Sequence, residues 1–143
     1  MNALTRLRDV QPINTIQSYH AHIYFDGPEQ RDVALTLRHE IAERFPVQMG
    51  GVHDRAIGPH MRPMYQVAFS PPEFGRIVPW LMINQRGLAI LVHPNTSRPK
   101  RDHLCDAMWL GENLGINDGP FLVESQSEPE PNIIPNTRPT VQP

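Results

Sequence analysis

The chain has 143 residues, a formal net charge of −2 and one cysteine, Cys105. That length suits a single domain with a core of its own. The near-neutral charge excludes a basic nucleic-acid footprint and a polybasic membrane patch, and a lone cysteine excludes an intrachain disulfide.

No apolar run approaches a membrane span, and no signal-peptide core opens the chain. The expectation is a soluble cytoplasmic protein with neither nucleic-acid nor membrane partners.

Residues 1–17 have no period. Arg6, Arg8, Pro12 and Asn14 interrupt what apolar content there is, and the segment reads as an N-terminal arm. Ser18–Phe25 then alternates strictly and reads as a strand. Tyr19, Ala21, Ile23 and Phe25 fall on one face; Ser18, His20, His22 and Tyr24 fall on the other.

Asp26-Gly27-Pro28 is a turn into a helix, with proline suited to the first helical position. Val33, Leu37, Ile41 and Phe45 form its apolar stripe, and Pro46 ends it. Val47–His53 is a weaker strand, where Gly50-Gly51 marks an edge, a bulge or a close backbone approach. Asp54–Arg62 is a loop. Pro63–Phe69 is the next strand, with Tyr65, Val67 and Phe69 on its apolar face.

Ser70–Glu73 has the pattern of a capping box. Phe74, Ile77, Val78, Leu81 and Met82 give the second helix its apolar face, Pro79 predicts a kink or break, and Gly87 a left-handed cap. Leu88–His93 is the fourth strand, with Ala89, Leu91 and His93 on one side. A third helix is predicted over Arg101–Leu110, with Leu104 and Met108, then Cys105 and Trp109, at four-residue spacing. This places Cys105 in the core. Phe121–Val123 is a short added strand. Residues 124–143 form a Pro-rich tail, disordered or laid along the surface. The domain itself is expected over residues 18–123.

Strand, helix, strand, strand, helix, strand has one usual compact solution. It is the α+β ferredoxin-like βαββαβ sheet, in order 4-1-3-2 with helices on one face. The fourth strand then runs antiparallel to the first and brings His93 near His20. The third, read as parallel to the first, carries the Gly58–Arg62 loop and His60 to that same end. His20, His22 and His93 share the helix-free face with Gln66. Leu91 and Met64 lie there too and demand a cover. A homodimer would supply one; so would the arm, third helix and tail.

Neutral imidazoles suit iron, zinc, copper or nickel. His20, His22 and His93 are therefore the candidate metal ligands, against the plainer reading of hydrogen-bonded histidines in a dimer interface. No carboxylate has an evident claim; Asp102 and Glu124 are the nearest. Arg62 is a candidate partner for a substrate carboxylate, against a solvated loop arginine. Asp102-His103 is an acid/base couple or a helix N-terminal pair, and Asp102 reads as the latter. Tyr24 is on the histidine face and can donate to an oxyanion, although packing is simpler. His39 reads as exposed.

Four blocks, Tyr19–Phe25, Gly58–Val67, Leu91–Thr96 and Asp102-His103 with Ala107–Gly111, resemble the DOPA 4,5-dioxygenase family in content and order. The resemblance implies a small α+β fold and extradiol opening of a catechol by dioxygen. It further implies Fe(II) at the histidines, with zinc or another divalent metal as alternatives. His60 or His103 would serve as base and Arg62 would orient a substrate carboxylate. The competing reading is a non-catalytic dimeric ferredoxin-like module that binds a small aromatic or a structural metal. A cupin is excluded because helix-forming sequence follows the histidines directly. A vicinal-oxygen-chelate enzyme would need strands this chain lacks.

Overall fold

The structure is a computed structural model that describes residues 9–143. The arm expected over residues 1–17 lies partly outside the described residues; its described part carries a single 3-10 turn at Ile13–Thr15. Five strands follow: β1 (Ser18–Tyr24), β2 (Gln48–Met49), β3 (Met64–Phe69), β4 (Ile90–Asn95) and β5 (Met108–Leu110). The helices are α1 (Gly27–Arg44), α2 (Phe74–Asn84) and α3 (Pro99–Leu104).

The sheet order is β2-β3-β1-β4-β5, and every neighbouring pair is antiparallel. Read from the other edge, this is the expected 4-1-3-2 with a fifth strand added beyond β4. One expectation is corrected: β3 runs antiparallel to β1, not parallel. The crossover through α1 returns β2 parallel to β1 with a gap between them. β3 fills that gap against both neighbours.

The alternation within strands sorts the two faces. Ala21, Ile23, Tyr65, Val67, Phe69, Ile90 and Val92 pack with Ala34, Leu37 and Ile41 of α1 and Ile77, Val78 and Leu81 of α2 in the main core. Fully burying one such aliphatic side chain contributes roughly 1.5–3 kcal/mol. The buried Tyr65 hydroxyl donates to the Ala34 carbonyl at 2.7 Å, so its polar tip is satisfied against α1.

α1 begins one residue before Pro28 and ends at Arg44, with the wholly buried Phe45 as its extended C-cap. The capping box does not form: Ser70 makes no side-chain cap bond. Two prolines remove amides from that turn, so residues 71–73 adopt a 3-10 turn and the Glu73 amide bonds the Ser70 carbonyl at 3.0 Å. α2 runs through Pro79 without a break. Arg86 and Gly87 both take positive φ in the turn to β4, at 54° and 79°. Gly87 is thus left-handed as expected, and Arg86 shares the turn while its guanidinium grips Glu40 at 2.6 and 2.7 Å.

The weak strand over Val47–His53 shortens to two residues plus one isolated bridge from His53 to Met64. Gly50 explains the local geometry: a Cβ there would lie 3.1 Å from the Gln66 carbonyl oxygen. The predicted third helix is also corrected. α3 stops at Leu104, where Arg101 Nε bonds Asp106 Oδ2 at 2.9 Å, and Met108–Leu110 pairs with the open edge of β4. Met108 and Leu110 then join the main core while Trp109 faces the other side. Cys105, no longer on a helical stripe, is exposed. Phe121–Val123 is not a strand, and both end residues are about half exposed. No described helix is long and apolar enough to cross a membrane.

Candidate metal centre

β1 places His20, His22 and Tyr24 on the face opposite α1 and α2. His93 is the direct cross-strand partner of His20 on β4, and Gln66 is that of His22 on β3. The antiparallel ladder fixes these pairs, because a pleated strand presents every second residue to one side.

Two further imidazoles enter from opposite ends. The loop before β3 arrives at the Tyr24 end of β1, not at the His20 end as first read. His60 still reaches the cluster: its Nδ1 lies 2.7 Å from the Tyr24 hydroxyl, and its ring centroid 4.1 Å from that of His22. α3 follows β4 at the Ser18 end and sets the His103 ring 3.9 Å from that of His93. Five histidines therefore meet over one side of the sheet.

Burial pushes every one of these imidazoles below its free value, and neighbouring rings add to the effect for four of them. His20 and His60 fall to about 4, His22 and His93 lie well below 6.5, and His103 is lowered despite its bond to Pro99. At neutral pH the site is a pocket of uncharged, lone-pair-bearing nitrogens.

Their tautomers are partly fixed. The Nδ1 of His93 lies 2.9 Å from the Pro94 carbonyl, and the Nδ1 of His103 lies 2.8 Å from the Pro99 carbonyl. A carbonyl only accepts, so each Nδ1 carries the hydrogen and each Nε2 presents a bare lone pair. This is the tautomer a backbone carbonyl imposes on a metal-ligating histidine.

His22 Nε2 faces His93 Nε2 at 3.0 Å, and His22 Nδ1 is buried with no hydrogen-bond partner. Without an ion, His22 must protonate Nε2 and leave a bare lone pair buried at Nδ1. A cation beside both Nε2 atoms would place the hydrogen on Nδ1, which has no acceptor among the described residues, and would use both Nε2 lone pairs. Two nitrogens bonded to one ion at about 2.1 Å in adjacent positions lie roughly 3 Å apart. The ligand atoms of His20, His22 and His93 all lie within 4.8 Å of one another. These three residues fit a divalent metal.

Asp102 does not compete as a ligand. It is buried and accepts from the Thr96 amide at 2.8 Å and the Thr96 hydroxyl at 2.6 Å, which holds the β4–α3 turn. Burial raises its carboxyl to about 6. Glu124 is exposed. Arg62 is half-buried in its loop, with no ion pair among the described residues, and it lines neither of the cavities beside the cluster strands. His39 is exposed and meets Glu43 at 2.7 Å.

The helix-free face is covered by the chain itself. Trp109 stacks on Tyr24 with ring centroids 5.7 Å apart, and Leu114 and Ile116 pack with Met64 and Leu91. The Pro-rich tail is laid along the surface, one of its two expected states. A cavity of about 480 Å³ remains between the sheet and this tail, lined by Ser18, His20, Gln66 and Ala68 below and residues 130–134 and 136 above. A larger cavity of about 590 Å³ is lined by Tyr19, Phe74 and Met108, by residues of the arm and of the β4–α3 turn, and by His93. The tail was among the covers expected from sequence; its path over His20 was not, and the apolar pair Ile133-Ile134 within a polar stretch is the only local signal for it.

Residues 19–119 match the model of the Dopa 4,5-dioxygenase family. A DOPA 4,5-dioxygenase of Amanita muscaria is 30% identical over 132 residues, covering 85% of this chain and 58% of that protein. An uncharacterised 21.2 kDa protein of Botryotinia fuckeliana is 37% identical over 111 residues, covering 70% of this chain and 61% of that protein. The chain thus spans about three fifths of the length of these relatives. A crystal structure of a candidate dioxygenase from Nostoc punctiforme superposes with a TM-score of 0.74 at 47% identity, covering 76% of this chain and 93% of that one.

Proposed function

We propose, from the premise that this chain belongs to the Dopa 4,5-dioxygenase family, that it is a metal-dependent dioxygenase that opens the ring of a catechol in the extradiol manner. The observation that carries the reading is the meeting of the His20, His22 and His93 ligand atoms on one sheet face. The printed name of the Amanita relative supports the substrate class. A divalent metal at these histidines, Fe(II) by the chemistry, would supply Lewis acidity and the redox link between catechol and dioxygen.

The chain's own groups would do the rest. His103, its Nδ1 hydrogen committed to Pro99, offers Nε2 as a base for a catechol hydroxyl proton. His60, whose Nδ1 lies 2.7 Å from the Tyr24 hydroxyl, would be the second candidate base, on the opposite side of the cluster. Trp109, the segment after it and the tail exclude water, which strengthens every electrostatic contact inside.

Elemental analysis of protein purified without added metal, combined with oxygen uptake on a panel of catechols, tests the reading. Bound iron and stoichiometric oxygen uptake with a ring-opened chromophore are expected. Metal without oxygen uptake on any catechol would favour the non-catalytic module.

A further inference from the structure

The tail that roofs the candidate site lies outside the family-matched residues, and it is tied down beyond the end of β4 and at the β2 edge of the sheet. The Gln126 amide bonds the Ser97 carbonyl at 2.9 Å beyond the end of β4. The Ile134 amide bonds Gln48 Oε1 at 3.0 Å and the Asn136 amide bonds the Val47 carbonyl at 3.0 Å, both at β2. β1 and β3 lie between those strands. The run from 127 to 133 must therefore cross the histidine face.

Glu130 stands midway along this crossing. Among the residues that line the cavity of about 480 Å³ it is the one charged side chain, with the amides of Gln48, Gln66, Asn132 and Asn136 around it. Gln126 Nε2 donates to its Oε1 at 3.0 Å, which leaves Oε2 without a hydrogen bond among the described residues. The carboxylate is half-buried, where a charge partner counts for more than it would in water. No lysine or arginine lines the cavity. An anionic substituent would meet repulsion there, and a protonated amine would find an acceptor.

We propose that Glu130 is a specificity-determining residue of this site, its carboxylate receiving the protonated amine of an amine-bearing catechol whose ring lies toward His20. This rests on the catechol-opening reading above. Gln126 would orient the carboxylate, and the tail would carry selectivity that the family-matched residues do not encode.

The test compares dopamine with 4-methylcatechol, which has no charge. Glu130→Gln keeps the size and an acceptor for Gln126. It should raise KM for dopamine roughly tenfold or more, the loss expected for one charge-assisted hydrogen bond. The KM for 4-methylcatechol should stay within about twofold, and any change in kcat, since Glu130 also raises the His103 imidazole, should be the same for both compounds. An equal rise in KM for both compounds, or none for dopamine, would overturn the assignment. Calorimetric binding of both compounds under nitrogen separates this proposal from the reaction itself. If the wild-type protein opens neither ring, the dioxygenase reading fails. A preference for dopamine that Glu130→Gln abolishes would still support the recognition role, and the absence of any such preference would end it.

Discussion

His22 on β1 and His93 on β4 bring their Nε2 atoms to 3.0 Å across the sheet, and only one of the two can carry a hydrogen. His93 is already committed by its bond to the Pro94 carbonyl. Without an ion the pair closes one N–H···N bond, and a cation beside it would find two facing lone pairs. His22→Ala removes one of two facing lone pairs and should abolish both metal content and ring opening. Metal analysis and oxygen uptake check this together. Full activity in a metal-loaded variant would exclude His22 as a ligand.

Tyr24→Phe removes the hydroxyl that meets His60 at 2.7 Å while keeping the ring that stacks on Trp109. The variant should retain its metal and lose about 1 kcal/mol of stability. Its kcat should fall by roughly tenfold to a hundredfold, since the hydrogen bond that orients His60 is lost. Steady-state kinetics alongside metal analysis distinguish this from damage to the metal site.

Acid should unfold the metal-free protein early. His20 and His60 take up protons at about 4 when folded, against 6.5 when free, and His22, His93 and His103 are lowered as well. Between those values the unfolded chain binds more protons, so stability drops as the pH is lowered. It is complete above about pH 6.5 and lost progressively toward pH 4. Asp102, raised to about 6, works in the opposite sense below that value, but it is one group against five. Urea midpoints of metal-free protein at pH 7.5 and pH 5 should differ clearly, the second being lower. Equal midpoints would mean the imidazoles are not buried neutral.

Asp102→Ala should cost about 2–3 kcal/mol, because it strips the Thr96 amide and hydroxyl of a shared acceptor. Denaturant unfolding measures this. The same change should loosen the turn that carries His103, with a fall in kcat that exceeds any loss of metal.

Asn136→Ala should free the tail from β2, since that side chain accepts from the Met49 amide at 2.7 Å and donates to its carbonyl at 3.0 Å. Amide exchange at Met49 and Val47 should quicken while exchange in β1 stays slow. Slow exchange at all of these positions would mean the strap is held elsewhere.

The two sheet faces were legible because period-two alternation leaves little choice. His20, His22, His93 and Gln66 share one side, as parity alone requires. The strand order was legible from the sequence of elements, with β5 the addition. The direction of β3 was misjudged, yet His60 arrived at the cluster because His22 and Tyr24 lie near the end where its loop enters. Helix-like spacing at Leu104, Cys105, Met108 and Trp109 misled because Met108, Trp109 and Leu110 also alternate as a strand does, and the bare edge of β4 decided between the two periods. The tail was beyond local reasoning: its bonds to Phe45, Val47 and Met49 join residues some ninety positions apart.

The pairing of His20 with His93 and of His22 with Leu91 fixes the alignment of β1 against β4 to the residue. A one-residue insertion ahead of His93 within β4 would flip that imidazole into the helix layer and bring an aliphatic group out in its place. The backbone ladder could re-form with little visible change, yet the three-imidazole cluster would be broken. Length variation in this lineage should accordingly gather in the connecting loops and be purged from these two strands.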